Sequence, residues 1–225
     1  AFSIVSPRAA YVAPEALLIF ATLCLVGQLA PVVFAVGGGG DAGTAAAGPE
    51  RGRARWVGII CGFGLAVKVT FLPLVGLALM VRPVRNLLIV AGYAVASLIV
   101  LLLPTLRNYE RFFSWIWNVA SHSGIHGSGR ATVIDPSQLI GNFATLFTWY
   151  PGFFLVMGAL LVYIPFAVFC NRASREALPP MPLRFPLVVL LVASVQSVLV
   201  LKHPGAHYMV SVLPMSFIGL AWLLF

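Results

Sequence analysis

The chain has 225 residues, of which 60% are hydrophobic and only 9% charged, and its mean hydropathy is +1.00. Soluble domains carry about a quarter charged residues, so these numbers exclude a soluble enzyme, a disordered chain and a secreted disulfide scaffold. The net charge of +8, from 14 basic and 6 acidic residues, does not point to nucleic acid. The Lys and Arg residues sit in short clusters between apolar runs, where a membrane protein keeps its topological charges.

What remains is an all-α, polytopic bundle of transmembrane helices whose first partner is the lipid bilayer. Cys24, Cys61 and Cys170 lie inside apolar runs. With no CxxC pair, neither disulfides nor zinc are expected. No basic stretch, short apolar core and cleavage site follow one another at the start, as a signal peptide requires. The chain starts at Ala1 and stops at Phe225 within an apolar run. We read residues 1–225 as a single transmembrane domain cut from a longer protein.

A helical span takes about 20 apolar residues. Residues 16–36 qualify, entered through Pro14 and Glu15 and followed by four glycines. Residues 37–55, rich in Gly and Ala with a basic end, read as a flexible cytoplasmic linker. The glycines are no phosphate loop, because no Gly-Lys-Ser/Thr follows.

The stretch 56–81 is long enough for one span, but Lys68 sits in its middle and Pro73 follows. Charge decides how it folds. Arg51, Arg53 and Arg55 precede it, and Arg82 and Arg85 follow it. Cytoplasmic loops are enriched in Lys and Arg, and a single span would put the two clusters on opposite sides. A short helical hairpin keeps both inside and lifts Lys68, whose burial at the centre of a span is costly, to the outer end.

The hairpin brings the remaining segments into agreement. Residues 87–104 go out, 105–149 form an extracytoplasmic loop, and 150–170 return. The loop 171–184, with Arg172, Arg175 and Arg184, is then inside; residues 185–201 go out and 206–225 return. Eight of the 14 basic residues fall in short inner loops, and Arg8, Lys68, Arg107, Arg111, Arg130 and Lys202 are scattered outside.

A loop as long as 105–149 should carry structure of its own. Leu106, Tyr109, Phe112, Phe113, Ile116, Trp117 and Ala120 recur at spacings of three and four, which is one face of a helix. Such an aromatic, amphipathic helix lies in the membrane interface; an ordinary aromatic belt explains the same residues. The segment from Ser121 to Arg130 holds His122, His126 and Arg130 among dense glycine. Its amides, hydroxyls and guanidinium suit a phosphate or a sugar, where the plainer alternative is a solvated loop. Asp135 precedes Pro136 and either contributes an acid or caps the next helix.

Further polar candidates share that outer side. Glu15 stands at the end of the first span, and Lys68, followed by Thr70, at the hairpin tip. Lys202, His203, His207 and Tyr208 join the last two spans. Charges at membrane depth are functional candidates, although a helix terminus explains Glu15 and snorkelling explains Lys68. No HExxH, G-x-S-x-G or glycosidase carboxylate pair is present, and no metal ligands are assigned.

Two stretches carry a family likeness. Gly62-Phe63-Gly64-Leu65-Ala66-Val67-Lys68-Val69-Thr70-Phe71-Leu72-Pro73-Leu74 resembles the hairpin stretch of GT-C-type membrane glycosyltransferases. These include the dolichyl-phosphate-mannose protein mannosyltransferase and aminoarabinose transferase-like families. Lys202 through Pro214, with His207-Tyr208 and Leu213-Pro214, is similar to their entry into a late helix, and Val12 through Leu18 to an earlier acidic helix entry. The resemblance implies sugar transfer from a polyprenyl-phosphate donor to a glycan, lipid or protein acceptor on the extracytoplasmic face, in the cytoplasmic membrane of a prokaryote. Lys68, His122, His126, Arg130, Lys202, His203, His207 and Tyr208 would then hold the donor's phosphate and sugar, with Glu15 and Asp135 as acidic contributors. The family's catalytic Asp, and a divalent metal where a member uses one, would lie outside this sequence. Two other classes stay open. One is a transporter or flippase of a polar or lipid-linked solute, for which internal pseudo-symmetry is the sign. The other is a non-catalytic assembly subunit, for which the outer polar residues should not converge.

Overall fold

A computed structural model describes residues 7–34, 47–122, 136–173, 183–202 and 204–224. The side chains at 7–13, 32–34, 47–49, 106, 120, 173, 206 and 207 fall outside that description. In chain order the elements are α1 (Pro7–Phe34), α2 (Ala47–Val67), a 3-10 helix (Val69–Met80), α3 (Asn86–Leu102), a 3-10 turn (Leu103–Asn108), α4 (Tyr109–Ser121), α5 (Leu139–Trp149), α6 (Pro151–Ala173), α7 (Arg184–Leu201), α8 (Ala206–Met209) and α9 (Leu213–Leu224). Among the described residues there is no strand.

Four helical stretches are long and apolar enough to cross a membrane: Pro14–Pro31, Asn86–Thr105, Pro151–Arg172 and Arg184–Leu201. They mark the chain as a membrane protein. Large apolar side chains such as Leu88, Ile99, Leu155, Val162 and Phe169 stand exposed on their outer surfaces, as expected where lipid tails replace water. The span of α7 is 44% buried and that of α3 only 6%, so α7 is central and α3 peripheral. Leu18, Leu25, Phe71, Leu74, Leu160, Val189, Met209 and Met215 fill the core.

The hairpin expected at 56–81 is present, and glycine explains its packing. An added Cβ on Gly58 would lie 2.5 Å from the Val90 carbonyl, and one on Gly62 would lie 2.3 Å from the Ala94 carbonyl. Two small residues four apart thus let the backbones of α2 and α3 touch, a common device of helix pairs in membranes. The order of contacts shows that α2 and α3 run parallel, since Gly58 faces Val90–Ala94 and Gly62 faces Ala94–Leu98. The 3-10 helix between them runs back. The reversal happens at Lys68, whose backbone is extended, and the Phe71 ring lies where a Cβ on Gly64 would stand, 2.4 Å away. At the far end of the 3-10 helix, the Arg184 guanidinium donates to the carbonyls of Leu79 and Val81. Arg51, Arg53, Arg55, Arg82, Arg85 and Arg184 therefore share one end of the bundle, the basic end, and Lys68 lies at the other.

Several boundaries differ from the sequence reading. The flexible stretch expected over 37–55 is helical from Ala47 onward, where α2 already begins. Arg and Ala are strong helix formers, Pro49 fits a first turn, and Glu50 lies in that turn, where a negative charge is favoured. The first span starts where expected, at Pro14, but its helix begins earlier, because α1 runs from Pro7 and carries Pro14 inside it. The single span expected over 206–225 is broken into α8 and α9 by a turn at 210–212. Pro214 has no N–H and crowds the carbonyl four residues back, and the chain there closes i to i+3 bonds instead, Val212 N to Met209 O and Met215 N to Val212 O. The long loop holds α5 as well as the expected amphipathic helix, which forms as α4.

Candidate functional site at the polar end

Lys68 is pinned from both sides by its backbone. Its N–H donates to the Gly64 carbonyl at 3.0 Å, and its own carbonyl accepts from Phe71 N–H at 3.0 Å. Its backbone is extended between two helices, and its side chain reaches α1. There Nζ meets Glu15 Oε1 at 2.9 Å, with the two side chains 23% and 20% exposed. Nζ also lies 5.0 Å from the centre of the Tyr208 ring, within cation–π range. Three elements far apart in sequence therefore converge on one ammonium.

Tyr208 is held in turn. Its N–H donates to the Gly205 carbonyl at 2.9 Å, and its carbonyl accepts from Gln196 Nε2 at 2.7 Å. Gln196 is fully buried on α7. One level deeper, Thr22 Oγ1 of α1 donates to the Leu18 carbonyl at 2.8 Å and approaches the Ser211 carbonyl at 3.1 Å. These contacts tie α1, α7 and the α8–α9 turn together beneath the ion pair. The Thr70 hydroxyl, two residues past Lys68, is buried without a hydrogen-bond partner among the described residues.

Lys202 contacts a different part of the bundle from Lys68. It follows the last residue of α7, and its Nζ donates to the Val119 carbonyl near the end of α4. Burial pulls its pKa below the ordinary lysine range. Beside it, Asn142 Nδ2 of α5 donates to the Leu201 carbonyl at 2.8 Å. His122 follows α4, and its Nδ1 lies 3.0 Å from Ser121 Oγ. That hydroxyl gives its hydrogen to the Trp117 carbonyl at 2.7 Å.

The sequence-derived candidates thus divide. Glu15, Lys68 and Tyr208 are in contact, while Lys202 and His122 are bonded at the end of α4. His126, Arg130, Asp135 and His203 lie outside the described residues, as does the side chain of His207. Gln196, Asn142 and Thr22 were not among the candidates. Gln196 had a readable signal, since it is the lone amide in an 18-residue apolar helix. Asn142 and Thr22 had none, because the carbonyls of Leu201 and Ser211 that they reach are far away in the chain.

Among the described residues no group of three His, Cys, Asp or Glu side chains forms a metal site. A groove of about 500 Å³ runs between α1, α2 and α3, lined by Phe20, Cys24, Ile60, Phe63, Ser97 and Leu101 among others. None of its lining residues is charged. No protein-family model, curated protein or solved structure matches the chain.

Proposed function

We propose that this chain is the membrane core of a glycosyltransferase that moves a sugar from a polyprenyl-phosphate donor to a glycan, lipid or protein acceptor, on the extracytoplasmic face. One observation carries the reading: Lys68, lifted out of the membrane interior by the hairpin, meets Glu15 and Tyr208 at the end opposite the basic cluster.

The chemistry follows from charge. As the bond from the sugar to the lipid phosphate breaks, negative charge grows on the departing phosphate. A fixed cation in a partly dry site stabilises that charge better than water does. Lys68 is such a cation, and Glu15 offsets the cost of holding it largely shielded from water before the donor arrives. The donor phosphate then shares the ammonium with Glu15 or displaces it. The group that removes the acceptor's proton is assigned, on the family resemblance, to a residue outside this sequence.

The test is transfer of labelled sugar from a polyprenyl-phosphate donor by the full-length protein. Lys68→Met lowers the rate by about 100-fold, and Lys68→Arg retains part of it. An unchanged rate in Lys68→Met overturns the reading. A flippase of the same lipid-linked sugar is a second reading, favoured by the helix break at Lys68 and the short helix after it. Movement of the intact donor across liposomes without release of sugar selects it.

A further inference from the structure

The end of α4 carries the observation that the transfer chemistry leaves unused. The last turn of a helix leaves carbonyls without intrahelical partners. In α4 the first of these, on Asn118, accepts from His122 N–H at 3.0 Å. The next, on Val119, accepts from Lys202 Nζ. A cation at a helix C-terminus is well placed, since the helix dipole presents its negative end there. Lys202 is itself fixed, because the Leu201 carbonyl before it is held by Asn142 of α5. Lys202 therefore ties a helix of the long loop to the centre of the bundle, a few residues from Tyr208 and the Lys68 pair.

The rest of α4 is suited to leaving. Phe112 and Ile116 are half-buried, but Tyr109, Phe113 and Trp117, spaced four apart along one flank, are 53%, 59% and 69% exposed. Glu110, Arg111, Ser114 and Asn118 occupy the polar arc. A helix of that pattern is at ease in the bilayer interface, and α4 starts only a few residues beyond the span Asn86–Thr105. An undocked α4 thus has somewhere to go.

We propose that α4 is a lid on the polar end, closed by the Lys202–Val119 contact and opened by a phosphate anion that takes Lys202 for itself. A bond from an ammonium to a phosphate oxygen is charge-assisted on both sides and stronger than one to a neutral carbonyl. The arriving anion wins Lys202, the Val119 carbonyl turns to water, and α4 moves to the interface. The proposal rests on the reading that this end receives a lipid phosphate, and it adds the means by which the site opens.

The experiment follows α4 directly. A nitroxide is attached to Ser114→Cys in the full chain with Cys24, Cys61 and Cys170 replaced by Ala, in neutral maltoside micelles. A second label at Leu187→Cys on α7 reports whether each variant is folded. Without ligand the α4 label is immobile in the parent and in Lys202→Arg, and the ratio of mobile to immobile signal rises about tenfold in Lys202→Met, which has no donor. Dodecyl phosphate mobilises the parent while leaving the α7 label unchanged. Inorganic phosphate, as a separate arm, tells whether the anion suffices or must come on a lipid chain. Mobilisation by either probe supports the lid. An α4 label that responds to neither probe, or stays immobile in folded Lys202→Met, overturns it. Because no sugar transfer is measured, a protein inactive as a transferase still gives a decisive result.

Discussion

Lys68 Nζ and Glu15 Oε1 are 2.9 Å apart in space and 53 residues apart in sequence. The pair joins α1 to the tip of the hairpin, and both side chains are mostly shielded. Removing one partner leaves the other charge shielded from water without its counterion, which costs more than the pair itself contributes. Glu15→Gln and Lys68→Gln should therefore each destabilise the bundle by about 2 kcal/mol, with the double variant less affected than the sum. A coupling of about 1 kcal/mol in a double-mutant cycle, read from unfolding in mixed micelles, is the expected outcome. Additive losses would mean that the contact contributes nothing beyond its two members.

The parallel course of α2 and α3 makes a topological prediction. Arg53 precedes the apolar part of α2, Arg85 precedes α3, and Ser114 lies on α4. Single cysteines at 53 and 85 should react with a membrane-impermeant maleimide from the same face, and a cysteine at 114 only from the other. Labelling of 53 and 85 from opposite faces would restore one continuous span over 56–81.

What was legible in the sequence is what charge and hydropathy determine. The hairpin was readable because two Arg clusters flank an apolar stretch interrupted by Lys68, and the membrane penalises the alternative. The amphipathic helix 109–121 was readable from its spacing. The break at 210–212 was not, since an apolar run hides a proline's effect on the turn before it. The partners of the site were only half visible. Glu15 and Lys68 stood out as charges in apolar surroundings, but nothing local says that they pair with each other. Lys202 stood out as a ligand-binding candidate, but nothing local says that it meets a backbone carbonyl. A carbonyl belongs to every residue alike, so no pattern in the sequence marks Val119 as the acceptor.

The glycine contacts separate two substitutions that look alike in sequence. A methyl group added at Gly62 meets the Ala94 carbonyl at 2.3 Å, whereas one at Gly92 meets nothing within 4 Å. Gly62→Ala must push α2 and α3 apart, and backbone cannot yield as a side-chain tip can. It should lower stability by about 1–3 kcal/mol. Gly92→Ala should leave stability unchanged or raise it by about 0.5 kcal/mol through a less flexible unfolded chain. Thermal unfolding of both variants in the same detergent checks the contrast, and equal effects would refute the close approach of the two helices.

Asn142 tests how α5 is docked. Its Nδ2 donates to the Leu201 carbonyl at 2.8 Å, one of the carbonyls that the end of α7 leaves without a helical partner. Asn142→Leu preserves bulk but removes the donor, and should cost about 1 kcal/mol. Asn142→Asp places a carboxylate against that carbonyl, where oxygen faces oxygen and the negative end of the α7 dipole adds repulsion. It should therefore be the more damaging of the two at neutral pH. Protonation gives the Asp side chain a donor again, so the Asp variant should recover as the pH falls through the carboxylate range while the Leu variant does not. Hydrogen exchange at the amides following Leu201, measured across that pH range, reads the difference. Parallel behaviour of the two variants would show that Asn142 acts by packing alone.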